Sequence, residues 1–274
     1  MRTAAASLEL VRPHSLDEAL HVLSEDSALV PIAGCTDLFV ALNAGTLGST
    51  RFMDLWPLDE LREIGVRNGA VSVGALVTHA MVQESPLITS RLPILAAACR
   101  EIGGIQIQRR GTVGGNVANG SPAGDTLPVL AAADAVVVLR SVSGERRVPF
   151  TSFFTGYRKS VRRPDELIVG FELPPVEHPQ WFRKVGTRAA QAISKIVIAV
   201  VGKDRPRIAL GSVAPTVVRC PKTEAALASG ASIEDASRTL EEEIQPIDDI
   251  RSTAEYRRRV AGNLLRRWGA DAGR

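Results

Sequence analysis

Cysteine is scarce in this 274-residue chain. The three present, Cys35, Cys99 and Cys220, are scattered and form no C-x-x-C pair. An iron–sulfur cluster usually takes four thiolates, so the chain cannot hold such a cluster alone. An odd, dispersed set also gives no disulfide framework, which fits a reducing compartment. Aromatic residues make up only 4%, too few for the stacking platforms that single-stranded nucleic acids need. Charge is nearly balanced, with 33 Lys and Arg against 30 Asp and Glu, so no nucleic-acid partner is expected. No window approaches the roughly eighteen apolar residues of a membrane span, and residues 1–10 lack a leader's apolar run. The expected location is cytoplasmic. His14, His21, His79 and His178 show no H-E-x-x-H or paired metal spacing, so no metal ligands are assigned. Neither G-x-S-x-G nor G-x-x-x-x-G-K-[ST] occurs, and no G-x-G-x-x-G opens a helix.

Glycine, by contrast, is placed in two telling segments about eighty residues apart. They are Pro31-Ile-Ala-Gly-Cys-Thr-Asp-Leu38 and Thr112-Val-Gly-Gly-Asn-Val-Ala-Asn-Gly-Ser-Pro-Ala-Gly-Asp125. Each has the composition of a tight loop in which successive amides form a concave anion nest. Thr112, Asn116 and Asp125 add side chains suited to sugar hydroxyls. Two such loops suit a dinucleotide pyrophosphate gripped from both sides. Ordinary turns are the competing reading of either segment alone.

At 45% hydrophobic, the chain can bury a full core in two or three subdomains. Ser15-Leu-Asp-Glu18 reads as a capping box with Leu16, Ala19, Leu20 and Leu23 at helical spacing. Residues 28–33 read as a strand feeding the first glycine segment, and 37–43 as a helix leaving it. Asn68-Gly69 predicts a hairpin over residues 62–75, and Ser143-Gly144 another. Residues 92–102 read as an alanine-rich helix and 166–173 as a strand, followed by a proline-rich linker at 174–179. Beyond it, strands are expected at 194–201 and 207–213, then two closing helices. The last opens at Ser252-Thr-Ala-Glu255 and buries Val260, Ala261, Leu264, Leu265 and Trp268. Its arginines, Arg257, Arg258, Arg259, Arg266 and Arg267, read as a solvated face, with docking of an acidic partner as the alternative. This pattern is α+β.

The ordered motifs resemble a known family. They are Ala33-Gly-Cys-Thr-Asp37, Gln106-Ile-Gln-Arg-Arg-Gly-Thr-Val-Gly-Gly-Asn116, Ser121-Pro-Ala-Gly-Asp125, Phe153-Phe-Thr-Gly-Tyr-Arg-Lys159, Pro164-Asp-Glu-Leu-Ile168 and Phe182-Arg-Lys-Val-Gly186. Ala189-Ala-Gln-Ala-Ile-Ser-Lys195 and Ala214-Pro-Thr-Val-Val-Arg-Cys220 complete the set. Together they resemble the FAD-binding medium subunit of the xanthine dehydrogenase and carbon monoxide dehydrogenase family, the molybdenum hydroxylases. The resemblance runs from about Arg12 to the last helix. It implies a two-subdomain PCMH-type (vanillyl-alcohol-oxidase-like) FAD-binding domain, then a C-terminal antiparallel sheet plus helices. The implied boundaries are 1–58, 59–175 and 176–274.

By the same resemblance, Pro31, Ile32, Ala33, Gly34, Cys35, Thr36, Asp37 and Leu38 bind the FAD pyrophosphate. Thr112, Val113, Gly114, Gly115 and Asn116 do so too, mostly through backbone amides. Cys35 stands where the commoner bacterial pattern has a second glycine. Asp125 matches the carboxylate on the sugar–ribityl portion; capping of the next helix is its structural alternative. Ile168 and Lys184 match positions beside the flavin ring, and Ile102 one that packs near the cofactor. Some relatives place an aromatic over the ring near Ala192. The implied partners are a [2Fe–2S] small subunit and a molybdenum-cofactor large subunit, with NAD or another electron acceptor. A xanthine dehydrogenase-like complex is expected, with a carbon monoxide dehydrogenase-type or other N-heterocycle- or aldehyde-oxidising complex as the alternative. A stand-alone flavin oxidoreductase and a cofactor-free assembly protein are the readings from other classes.

Overall fold

The computed structural model describes residues 8–273; residues 1–7, on which most of the expected absence of a leader rests, lie outside them. Strand β1 (Glu9–Val11), helix α1 (Leu16–Glu25), strand β2 (Val30–Ile32), helix α2 (Leu38–Ala44) and strand β3 (Arg51–Asp54) form the first unit. The Ser15 hydroxyl caps α1 by accepting from the Glu18 amide at 3.1 Å. The return bond differs from a standard capping box: the Glu18 carboxylate accepts from the His14 amide at 2.7 Å. Parallel strands need crossovers, and α1 and α2 supply them, giving a three-stranded parallel sheet in the order β1-β3-β2. Leu16, Ala19, Leu20 and Leu23 pack onto Leu29, Met53 and Leu55 as the apolar spacing requires.

The second unit begins with the hairpin β4 (Ile64–Arg67) and β5 (Ala70–Gly74). Asn68 and Gly69 both take positive φ, 51° and 82°, as a two-residue turn matched to strand twist demands. Six short helices follow: α3 (His79–Glu84), α4 (Pro86–Arg91), α5 (Pro93–Arg100), α6 (Ile105–Arg110), α7 (Val113–Asn119) and α8 (Thr126–Ala132). Strands β6 (Val136–Ser141) and β7 (Gly144–Pro149) make the second expected hairpin. A small ribbon, β8 (Phe154–Gly156) with β9 (Lys159–Ser160), precedes β10 (Leu167–Leu173). The resulting antiparallel sheet runs β4-β5-β10-β6-β7. Part of the second glycine segment is thus a helix, not the loop its composition suggests. Thr112 caps it, Gly120 ends it at φ 57°, and tertiary packing overrides the poor helix propensity of Gly114 and Gly115.

The third unit holds four antiparallel strands, β11 (Gln180–Val185), β12 (Ile196–Val201), β13 (Arg207–Gly211) and β14 (Val218–Arg219). Three helices follow rather than the expected two: α9 (Pro221–Ala228), α10 (Ile233–Glu243) and α11 (Ala254–Ala272). Ile196, Ile198 and Val200 of β12 enter a core with the closing helices, while Val197, Ala199 and Val201 enter the core of the second unit. This sheet is therefore buried on both faces. On β11 the same alternation sends Trp181 to the helices and Phe182 to the second unit. Lys184 shares the Phe182 side, which aims it at α8.

The cap of α11 is Thr253, one residue later than expected, and accepts from the Tyr256 amide at 3.2 Å. Arg257 corrects the solvated-face reading: it is buried, 2.8 Å from Asp249. Val260 and Leu264 are only partly buried. No helix of the described residues is long and apolar enough to cross a membrane.

Candidate functional site

The parallel strand β2 ends at Ile32, and α2 begins at Leu38, so residues 33–37 form the turn at the carboxyl edge of the first sheet. Cys35 sits at φ 61°, a conformation glycine adopts freely and other residues rarely. Its thiol donates to the Ala33 carbonyl at 3.3 Å. Among the described residues, none of the backbone amides from Gly34 to Leu38 donates a hydrogen bond. Five consecutive free N–H groups around a left-handed residue make an anion nest. Gly34 fixes where that nest sits. A Cβ there would fall 1.7 Å from the Arg110 carbonyl oxygen, so only glycine lets the turn lie against the end of α6.

The second segment starts two residues further on, and its amides behave differently. Val113 donates to the Val77 carbonyl, Gly114 to Ala75 and Asn116 to Thr112, each at 2.9 Å. Gly115 donates to the Thr112 hydroxyl at 3.0 Å. All four are engaged within the chain. Gly114 permits the close packing, since a Cβ there would stand 2.6 Å from the Ala75 oxygen. Besides the Thr112 amide, which donates no hydrogen bond among the described residues, residues 112–116 offer a ligand side-chain chemistry. The Asn116 oxygen accepts from the Thr126 hydroxyl at 2.6 Å, and its NH₂ has no partner among the described residues.

Thr126 follows Asp125, which occupies the cap position of α8 without making a side-chain cap bond. The Asp125 carboxylate turns instead to Lys184, which donates to Oδ2 at 2.6 Å and to the Glu101 carbonyl at 3.1 Å. Both side chains of this pair are under 10% exposed. Oδ1 of Asp125 is buried without a partner. Ile102, half-buried, follows the Glu101 carbonyl that holds Lys184. Ile168 is buried on β10 at a bulge. Its neighbour Val169 accepts from the Ala75 amide, and Ala75 accepts from Gly114. Hydrogen bonds, one close backbone packing and chain neighbours thus link both glycine segments, Asp125, Lys184, Ile102 and Ile168 along one path. Ser194 of the A-I-S-K motif bonds the Ala123 carbonyl, tying the third unit to the S-P-A-G-D turn. The sequence reading missed Thr126, Glu101 and the pair Trp56–Arg110, none of which carries a local signal.

Two buried titratable groups give the chain a specific response to pH. Burial pushes the Asp125 carboxyl up to about 6, which Lys184 only partly opposes. Burial holds His79 down at about 4. As pH rises from about 4 to 6, the unfolded chain loses the Asp125 proton first and stability falls. As pH falls from about 6.5 to 4, the unfolded chain protonates His79 first and stability falls. Each effect is worth on the order of 3 kcal/mol over its window, so in the flavin-free chain they largely cancel. Denaturant midpoints between pH 6.5 and 4 should therefore rise on acidification in His79→Gln and drop in Asp125→Asn, relative to wild type. Identical slopes in all three chains would contradict these environments.

A ligand for this site must carry an anionic group for the nest and hydroxyl donors for Asp125 Oδ1. FAD, with its pyrophosphate and ribityl hydroxyls, has both. Residues 6–176 match the family described as the FAD binding domain in molybdopterin dehydrogenase, and residues 181–272 the CO dehydrogenase flavoprotein C-terminal domain. The chain belongs to this family of FAD-binding subunits of molybdenum hydroxylases; it is an oxidoreductase subunit whose cofactor is FAD. Relatives include the glyceraldehyde dehydrogenase medium chain of Sulfolobus acidocaldarius, 29% identical over 91% of this chain and 92% of its own. The xanthine dehydrogenase FAD-binding subunit of Escherichia coli O157:H7 is 29% identical over 90% and 89%. The structure of carbon monoxide dehydrogenase from Hydrogenophaga pseudoflava contains a chain that superposes with a TM-score of 0.89 at 29% identity, covering 95% of each.

Proposed function

We propose that this chain is the electron-relaying flavin subunit of a xanthine dehydrogenase-like complex. It takes electrons from a partner subunit with a [2Fe–2S] cluster and passes them to NAD or another acceptor, while a third, molybdenum-bearing subunit oxidises the substrate. The observation that carries this reading is the joining, along one path, of a free amide nest with a buried carboxylate that lacks one partner. In that arrangement residues 34–38 hold the pyrophosphate, with the Asn116 NH₂ as a further donor. Asp125 Oδ1 takes a ribityl or ribose hydroxyl, and Lys184 stands next to it as a fixed positive charge. Bound FAD supplies a group that can accept electrons singly and release them as a pair. The chain's own part is to bind it, orient it and set the charge around it. Three scattered cysteines give no cluster site, so the electron source belongs to a partner. The relatives are named for glyceraldehyde and xanthine, which supports placing substrate choice on another subunit.

The purified chain should show the two-banded absorbance of an oxidised flavin and, on denaturation, release FAD without iron. Iron retained by the isolated chain, or FMN released in place of FAD, would overturn this reading.

A further inference from the structure

Trp56 lies just past β3, and its neighbour Leu55 donates to the Ile32 carbonyl at 2.9 Å. That bond holds the backbone just before Trp56 against the end of β2, where the turn of residues 33–37 begins. The ring carries two guanidinium groups, Arg110 at 3.7 Å and Arg62 at 4.1 Å from its centroid. Two such groups that close cannot share one face, so Trp56 is sandwiched between them. The two arginines are held differently. Arg62 donates to Asp59 at 3.1 Å, to the Leu76 carbonyl at 3.3 Å and to the Trp56 carbonyl. The Arg110 guanidinium makes no hydrogen bond or ion pair among the described residues. Its backbone carbonyl is nevertheless the atom against which Gly34 packs. Its positive charge also reaches Cys35, opposing the rise that burial gives that thiol.

A pyrophosphate brings about two negative charges to the turn, whereas the amides of residues 34–38 contribute only dipoles. Asp54, paired with Arg12 at 3.1 Å, adds a negative charge that is felt at the same cysteine. Arg158 also acts on the turn, through the Asp37 carboxyl, but Arg110 is the cation whose own backbone packs against Gly34 and whose unused donor fork lies flat on Trp56. Stacking on Trp56 fixes the plane of that fork, so little side-chain freedom remains to be lost when an anion arrives. On the reading that FAD occupies this site, we propose that Arg110, held flat on Trp56, donates to and neutralises the pyrophosphate of the bound dinucleotide. Arg62 is then a positioning residue that braces the indole from its other face. A purely structural latch would spend its donors on the protein, as Arg62 does and Arg110 does not.

The test is titration of the flavin-stripped full chain with FAD at low and high salt, beside a thermal melt without FAD. Arg110→Met should weaken FAD binding by about 10- to 100-fold, the loss of a charge-assisted hydrogen bond. Its salt dependence should flatten, and the flavin-free melting temperature should stay near wild type. Arg110→Lys, which keeps the charge without the planar fork, should recover part of the affinity and the salt dependence. Unchanged FAD affinity in Arg110→Met would overturn the proposal. So would affinity and flavin-free stability falling together with the salt dependence intact, in either variant, since that is the mark of a latch. A wild-type chain that fails to bind FAD would instead strike the flavin reading itself, and the proposal with it.

Discussion

Gly34→Ala will leave the chain folded but largely without FAD. The added Cβ would lie 1.7 Å from the Arg110 carbonyl oxygen and 2.5 Å from its carbon. A backbone carbonyl cannot rotate aside as a side chain can, so the turn of residues 33–37 must swing out. Overpacking of this kind costs about 1–3 kcal/mol, which lowers the melting temperature of a chain this size by roughly 2–10 °C. The flavin loss should exceed what that destabilisation explains, because the displaced turn carries all five free amides with it. Gly48→Ala is the matched control, since nothing lies within 4 Å of its Cβ. Flavin content and melting temperature measured on both variants decide the matter. A Gly34→Ala chain with full FAD and an unchanged melt would contradict the packing of the turn against α6.

Lys184→Met should be the most destabilising single change in the site. It strands the Asp125 carboxylate, which is buried and already carries one unpartnered oxygen. Removing one partner of a buried pair typically costs about 3–5 kcal/mol. The double variant Lys184→Met/Asp125→Asn should regain part of that loss, because no charge is then left buried. Acidification should also ease the single variant, as the stranded carboxyl takes up a proton. On the reading that Lys184 stands beside the flavin, Lys184→Met in the flavin-loaded chain should lower the reduction potential, because a cation there favours the anionic reduced flavin. Denaturation curves of the single and double variants check the first claim, and a redox titration the second. A cost below about 1 kcal/mol would mean the pair is solvated rather than buried.

Local chemistry made parts of this fold legible. Asn68-Gly69 specifies its turn through two positive φ angles, and Ser15 specifies the start of α1 through one hydroxyl. Strand β11 was illegible for a physical reason. Trp181 and Phe182 are adjacent and both buried, one in each of two cores, so the run shows no alternation of apolar and polar residues. Helix α7 is not announced by its sequence because Gly114-Gly115 is a poor helical pair; Gly114 serves the contact with Ala75 and Gly115 the close approach to the Thr112 hydroxyl. The site divides the same way. Its glycine segments stand out in composition, and their free or engaged amides follow only from the fold. The Asp125–Lys184 contact joins positions 59 residues apart, and the Arg110–Trp56 stack bridges two units, so no local pattern announces either.

On the function proposed above, this chain relays electrons through FAD for partners that hold the other redox groups. That relay is tested most directly by purifying the tagged chain from cells that make the whole assembly and measuring flavin, iron and molybdenum in the product. All three are expected in the complex, with only FAD remaining on this chain after it is separated from its partners. A chain that purifies alone with FAD, carries neither metal, and oxidises a substrate without partners would contradict it.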